Sequence, residues 1–452
     1  MKLYSENENY KLYSGSMLDM LEVIEPNTID SIVTDPPYEL NFMGKGWDNS
    51  GIAFQKETWQ KCYKVLKPGG YLLAFGGSRT FHRIACAIED AGFEIRDTIM
   101  WLYGSGFPKS MNIGLAIDKK NGVENRTGEV RTNGNKGGGV NTFDDDNYVW
   151  KNEFEVREAQ NEWKGWGTAL KPSFEPIIVA RKPFKSSLVD NVIEYGVGGI
   201  NIDECRVEPT GEDIGRNNHT NPYGNKRTWS VSKTPPQNTT GRYEGRFPAN
   251  TILTYDETDF DEVCGGFPQS KSKGAFPKKI NGKSNITFRS DEERENRIEL
   301  NDSGSASRYF YCAKASKKDR DEGLDTFIEE KVNDGRQTPI DNPFQRGETQ
   351  RKNTHPTVKP TELMQYLVRL VTPNNGTILD PFNGSGSTGK AVMYENYERN
   401  KNYKYIGIEL TEEYLPIAKA RIEYVINKGI EKEKSDPKQE EQTKQRKESA
   451  LF

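Results

Sequence analysis

Short apolar runs separated by amphipathic stretches mark the first 115 residues. SIVT at 31–34, YLLAF at 71–75 and IMWLY at 99–103 read as buried strands, and FHRIACAIEDAGF at 81–93 reads as a helix. This alternation predicts a parallel α/β sheet. The same texture returns at 351–427. TELMQYLVRLV at 361–371 places Leu363, Met364, Leu367, Val368, Leu370 and Val371 on one helical face. GTILD and KYIGIEL then read as buried strands, and TEEYLPIAKARIEYVI reads as an amphipathic helix capped by Thr411.

Residues 116–350 are different, rich in Asn, Gly, Lys and Thr. Their apolar exceptions are EPIIVA at 175–180, read as one more sheet strand, and ANTILTY at 249–255. Two α/β blocks therefore flank a polar insertion, and the simplest architecture is one sheet assembled from both chain ends. The expected boundaries are 1–184, with a glycine-rich loop insertion at about 119–162, a polar middle at 185–350, and a second sheet half at 351–428. The mixed-charge stretch 429–452 is expected to be unstructured.

Composition narrows the class. The chain has 452 residues, of which 33% are hydrophobic, enough for a sizeable core with long polar loops. No apolar run approaches the ~20 residues of a membrane helix, and MKLYSENENY lacks the apolar stretch of a secretory signal. A cytoplasmic protein without membrane contact is expected. Five cysteines without a C-x-x-C pair and three histidines argue against a disulfide framework or zinc site, so no metal is expected. The net charge of −4 does not advertise nucleic-acid binding. However, residues 265–290 carry Lys271, Lys273, Lys278, Lys279, Lys283 and Arg289 and no acid. That strip is either a solvated loop or a surface that meets phosphates.

Two motifs carry chemistry. In SIVTDPPY a buried strand runs into Asp35, Pro36, Pro37 and Tyr38. The prolines fix φ near −65° and remove two backbone donors that would compete for nearby acceptors. In LDPFNGSGSTGKA at 379–391 a strand ends in Asp380, and a glycine turn leads into a helix. Gly384 and Gly386 permit positive φ and close backbone approach. Two readings compete there. Gly384 to Lys390 matches the opening of a phosphate-binding loop, but Ala391 stands where Ser or Thr would ligate magnesium. The alternative is a nucleoside cofactor, with Glu409 at the end of the next strand accepting the ribose hydroxyls.

TDPPY at 34–38 and DPFNGSGSTG at 380–389 together resemble the DNA amino-methyltransferases, which methylate adenine N6 or cytosine N4 using S-adenosylmethionine. The motif order is similar to the family's β arrangement. HPTVKP at 355–360, GFPKSMNIGLAID at 106–118, GWGTALKPSFEPIIVARKP at 165–183 and GRFPAN at 245–250 also resemble stretches of bacterial and phage members. The resemblance implies a Rossmann-like, mostly parallel methyltransferase sheet. It implies a catalytic half at 1–184, target recognition at 185–350 and a cofactor half at 351–428. Where the family often has Gly-Asp before the catalytic motif, this chain has Gly15-Ser16.

By resemblance, Asp35 and the Pro36 carbonyl accept the N–H bonds of a flipped-out base while Tyr38 stacks on it. The cofactor would meet Asp380, Pro381, Phe382, Gly384, Ser385, Gly386, Thr388, Glu409 and Ser16, with Lys359 on its carboxylate or merely solvated. The implied partner is double-stranded DNA, within or outside a restriction–modification pair, with the oligomeric state open. Asp at the head of DPPY favours adenine N6, with cytosine N4 as the alternative. A DNA-dependent NTPase using 384–390 is the rival from another class. His355 reads as structural rather than as a general base. Trp47 and Asp48 read either as a cover for the flipped base or as loop packing. Trp163 and Trp166 read either as core or as a DNA wedge.

Overall fold

In the computed structural model, the residues described are 2–40, 46–103, 110–124, 126–132, 153–206, 247–254, 269–277, 297–305, 316–332 and 349–435. Nine strands form one sheet: β1 (Lys2–Glu6), β2 (Tyr10–Ser14), β3 (Ile29–Thr34), β4 (Leu66–Phe75), β5 (Glu94–Tyr103), β8 (Phe174–Arg181), β9 (Thr251–Thr254), β14 (Thr377–Asp380) and β15 (Lys404–Glu409). Six others pair off as three two-stranded ladders: β6 (Arg126–Thr132) with β7 (Glu153–Arg157), β10 (Gln269–Pro277) with β11 (Arg297–Ser305), and β12 (Glu330–Val332) with β13 (Thr349–Arg351). The helices are α1 (Met17–Val23), α2 (Lys56–Val65), α3 (Phe81–Asp90), α4 (Ile113–Lys120), α5 (Leu188–Tyr195), α6 (Lys317–Asp321), α7 (Thr361–Val371), α8 (Ser387–Arg399) and α9 (Leu415–Ser435). Among the described residues no helix is long and apolar enough to cross a membrane.

The strand order is β1-β2-β15-β14-β3-β4-β8-β5-β9. From β2 to β4 all neighbours run parallel, whereas β8 lies antiparallel to both β4 and β5. The expected mostly parallel sheet built from both ends of the chain is therefore present, and β9 from the polar middle joins its far edge. Strand residues alternate between two cores. Val33, Leu73, Phe75, Ile177, Val179 and Ile378 pack on one face with α7, α8 and α9. Ile32, Leu72, Ala74, Ile178, Ala180 and Leu379 pack on the other with α1, α2 and α3. Burial on both faces explains why these strands read as unbroken apolar runs.

α7 buries all six apolar side chains expected of it, each contributing roughly 1.5–3 kcal/mol. At the last helix the structure departs from expectation. A single 3-10 turn, Glu412–Tyr414, precedes it, and Thr411 makes no side-chain cap bond. α9 also continues to Ser435, beyond the Gly429 limit expected for ordered chain.

The chain leaves β14 for β15 on one side and leaves β3 for β4 on the other. That reversal opens a crevice at the carboxyl ends of β14 and β3, where ligands settle in open α/β sheets. Both sequence motifs end there.

Candidate active site

The two motifs meet directly. The Thr34 hydroxyl, one residue before Asp35, donates to Asp380 Oδ1 at 2.7 Å. Asp380 is a brace for the turn: its other oxygen accepts from the Thr388 hydroxyl at 2.6 Å, and Phe382 N–H donates to Oδ1. Asp35–Tyr38, Asp380–Ser385, Thr388 and Glu409 line one cavity of about 930 Å³, at the upper end of the range for small-molecule pockets.

On the glycine side, Gly384 N–H donates to Glu409 Oε2 at 2.6 Å and Thr411 N–H donates to Oε1 at 2.8 Å. Each carboxylate oxygen keeps a second lone pair for a ligand hydroxyl. Burial pushes the Glu409 carboxyl up to about 7 and Asp380 up to about 6, against the hydrogen bonds each accepts. Gly384 and Gly386 hold φ of 51° and 75°. A Cβ at Gly386 would lie 2.9 Å from Ala418 Cβ, and one at Gly384 would lie 2.9 Å from His355 Nε2. These turns are therefore closed to larger residues by both conformation and space. Buried Arg421 of α9 fastens the loop, donating to Ser385 O, Ser385 Oγ and Ser387 Oγ. Phe382 lines the cavity and tilts against Trp59. Ser16 also lines it, and its hydroxyl caps α1 by accepting from Leu18 N–H.

On the catalytic side, Lys359 of HPTVKP is buried, with its ammonium 2.6 Å from Asp35 Oδ2 and 3.4 Å from Glu175 Oε2. It also lies 5.2 Å from the Tyr38 ring centre and 4.9 Å from that of Phe75. Burial works against the charge on Lys359, but the two carboxylates outweigh it and hold the ammonium protonated. Burial raises Asp35, with Lys359 opposing. Asp35 Oδ1 is shielded from solvent and has no hydrogen-bond partner among the described residues.

Glu175 is the residue that sequence reasoning missed. It accepts from the Tyr38 hydroxyl at 2.6 Å and from Tyr103 at 3.3 Å. It is the second residue of β8, and because β8 is antiparallel to β4, that start lies with the carboxyl ends of the parallel strands. The available signal was an acid directly ahead of an otherwise apolar strand.

The loop after the motif folds back on itself. Glu39 adopts φ of 55°, its N–H and that of Leu40 donate to buried Asp48, and its own carboxylate accepts from Gly51 N–H. Asp48 is thus a loop brace; the Trp47 side chain lies outside the described residues. His355 donates through Nδ1 to Thr357 O and packs edge-on against Tyr414. Burial lowers it to about 3, so the ring is neutral.

Other expectations fare differently. Lys390, which a phosphate-binding loop would turn towards its ligand, is fully buried and paired with Asp319 and Glu322 at 2.8 Å each. Its ammonium also donates to Asp319 O. The nucleotide-hydrolase rival therefore lacks its lysine. Lys271 and Lys273 lie on β10, opposite Ser303 and Asn301 of β11, while Lys278, Lys279, Lys283 and Arg289 lie outside the described residues. Trp163 and Trp166 are exposed rather than core.

The sequence is similar to known proteins. A family model described as DNA methylase matches residues 29–420. The type II methyltransferase M.HindIII of Haemophilus influenzae is 27% identical over 232 residues, covering 42% of this chain and 64% of that protein. M.HpaI of Haemophilus parainfluenzae, also a type II methyltransferase, is 33% identical over 109 residues, covering 22% of this chain and 34% of that protein. The chain thus spans less than two thirds of the length of these curated relatives. Among solved structures, the cytosine-N4-specific PvuII DNA methyltransferase aligns over 95% of this chain and 97% of that one. It does so at 12% identity and a TM-score of 0.39, too distant to bear on chemistry.

Proposed function

This chain belongs to the N6/N4 DNA methylase family, and on that premise we propose that it methylates the N6 amino group of a flipped-out adenine in double-stranded DNA. S-adenosylmethionine, when bound, supplies the electrophilic sulfonium methyl. The residues present fit it: a glycine turn closed to larger side chains, a carboxylate with lone pairs to spare at Glu409, and Phe382 on the cavity wall.

An adenine amino lone pair is delocalised into the ring and must move towards sp³ to attack. Acceptors on both N–H bonds favour that change. Asp35 Oδ1 takes one N–H, and the Pro36 carbonyl takes the other. Lys359 on Oδ2 opposes the rise that burial imposes on the Asp35 carboxyl and holds it in place, which no flexible side chain in water could match. Tyr38 offers a stacking face worth roughly 1–3 kcal/mol, its hydroxyl anchored on Glu175. The surplus amino proton leaves along the Asp35 hydrogen bond.

One juxtaposition carries this reading. The Thr34–Asp380 bond ties the two motifs, so a buried carboxylate oxygen without a partner among the described residues shares a cavity with the glycine turn. Adenine is favoured by the aspartate heading DPPY, and target recognition is assigned to the middle region, 185–350. The test is methylation of unmethylated genomic DNA by the purified protein, read by sequencing that distinguishes N6-methyladenine from N4-methylcytosine. N6-methyladenine at one short sequence is expected. N4-methylcytosine would reassign the base, and unmodified DNA would overturn the reading.

A further inference from the structure

The lip of the cavity is formed by a loop that the chemistry above leaves unused. Residues 166–172 run along it, and Leu170 is 93% exposed although it lines the cavity mouth. Trp166 at 59% and Met111 at 56% lie on the same platform. Single exposed leucines are ordinary; this one is held out by a fastened scaffold. Ser110 Oγ accepts from Thr168 N–H at 3.0 Å and from Ala169 N–H at 3.3 Å. Met111 N–H donates to Thr168 Oγ1, and Ile113 N–H donates to Trp166 O. At Gly167 a Cβ would lie 2.4 Å from Ser110 Oγ, so a larger residue there would displace the hydroxyl that pins the two segments. Beneath them Asn161 bonds Gly114 O and Asp118 Oδ1.

Lys171 and Arg79 line the same cavity and have no ion-pair partner among the described residues. A pinned apolar tip that shares its cavity with two cations lacking an ion-pair partner among the described residues fits one occupant well. The cations suit flanking phosphates, and the tip suits the gap left in a base stack when one base swings into the adjoining cavity. We propose that Leu170 is the wedge that enters the DNA duplex and holds that gap open while the target base occupies the cavity. The proposal rests on the base-flipping reading above. A pre-ordered tip loses little freedom on insertion, which is why a pinned loop serves better than a loose one.

The test uses the full chain and a duplex oligonucleotide carrying the site mapped on genomic DNA. It is prepared in two forms, with the target base either normally paired or opposite an abasic position. Leu170→Ala is expected to lower kcat/KM at least about tenfold on the paired duplex. It should remain within about threefold of the parent on the unpaired one, where no pair has to be broken. Leu170→Met, which keeps an apolar tip, should recover most of the loss, and melting temperatures should not change. Equal loss on both duplexes, or no loss on either, overturns the wedge while leaving the methyltransferase reading intact. A parent protein that methylates neither duplex removes that reading, and the wedge with it.

Discussion

Lys359 and Asp35, 324 residues apart, share a 2.6 Å ion pair on the wall of the cavity where the two halves of the sheet meet. The pair occupies only one oxygen of the carboxylate and leaves the other without a hydrogen-bond partner among the described residues. Asp35→Ala is therefore expected to reduce methyl transfer about 10³-fold or more. S-adenosylmethionine should still bind within about threefold in calorimetric titration, because among the described residues no hydrogen bond joins Asp35 to the glycine turn. Loss of cofactor binding would contradict this division of labour.

Lys359→Met removes the one cation that, among the described residues, pairs with both Asp35 and Glu175. Asp35, already raised by burial, loses the charge that opposes the rise, so its ionised form becomes scarcer at a given pH. The acid limb of the kcat profile should move to higher pH, with activity at pH 6 falling more than activity at pH 8.5. An unmoved limb would show that Lys359 packs without tuning Asp35.

Glu175→Gln keeps an acceptor for the Tyr38 hydroxyl but discharges one side of Lys359. A drop in kcat of about tenfold with little change in KM for DNA is expected. Tyr38→Ala should act the other way, weakening DNA binding by the roughly 1–3 kcal/mol of one stacked base, while Tyr38→Phe stays near the parent. Rates and affinities measured on the same oligonucleotide separate these cases.

Much of this centre was legible in the sequence. DPPY and the glycine turn each follow a buried strand, and the next buried strand delivers Glu409, so short-range patterns place them all at one sheet end. Glu175 was hidden because a strand's direction is not written in its composition; only the antiparallel pairing of β8 brings its N-terminal residues to that end. The same limit produced the phosphate-loop alternative. G-x-x-x-x-G-K is a local spacing, while the destination of Lys390 is decided by Asp319 and Glu322 on a segment some 70 residues earlier, in a polar region without periodicity.

Glu409 and Asp380 yield a pH prediction. Their folded carboxyls lie at about 7 and about 6, above the ordinary values near 4. The folded chain therefore binds protons more readily than the unfolded one. Their contribution to stability is present at low pH and is lost as pH rises through about 7. Without cofactor, the melting temperature should fall between pH 5.5 and 8, less so in Glu409→Gln. Ribose hydroxyls need the ionised Glu409, so S-adenosylmethionine affinity should rise with pH and level off above about 7. Titration at pH 6, 7 and 8 reads the slope directly, and a flat series would contradict it.

Lys390→Met leaves Asp319 and Glu322 without their shared cation. Burial already disfavours ionisation of both, and the Lys390 charge is what holds them below the usual range. Stability should drop by about 3 kcal/mol, read by denaturant titration. ATP should fail to bind parent or variant.

The β1–β2 hairpin joins the rest of the sheet through β15, and β3 has an open flank until β14 fills it. On the ribosome these partners emerge after the other strands of the sheet. At about 5–20 residues per second, roughly 20–75 s separate synthesis of Asp35 from that of Glu409. For that interval the nascent chain exposes a bare, apolar strand edge, and the proposed methyl-transfer site stays incomplete until β14 and β15 have been made. Chaperone demand during translation, and inactivity of any fragment stopped short of Thr377, follow from where two strands sit.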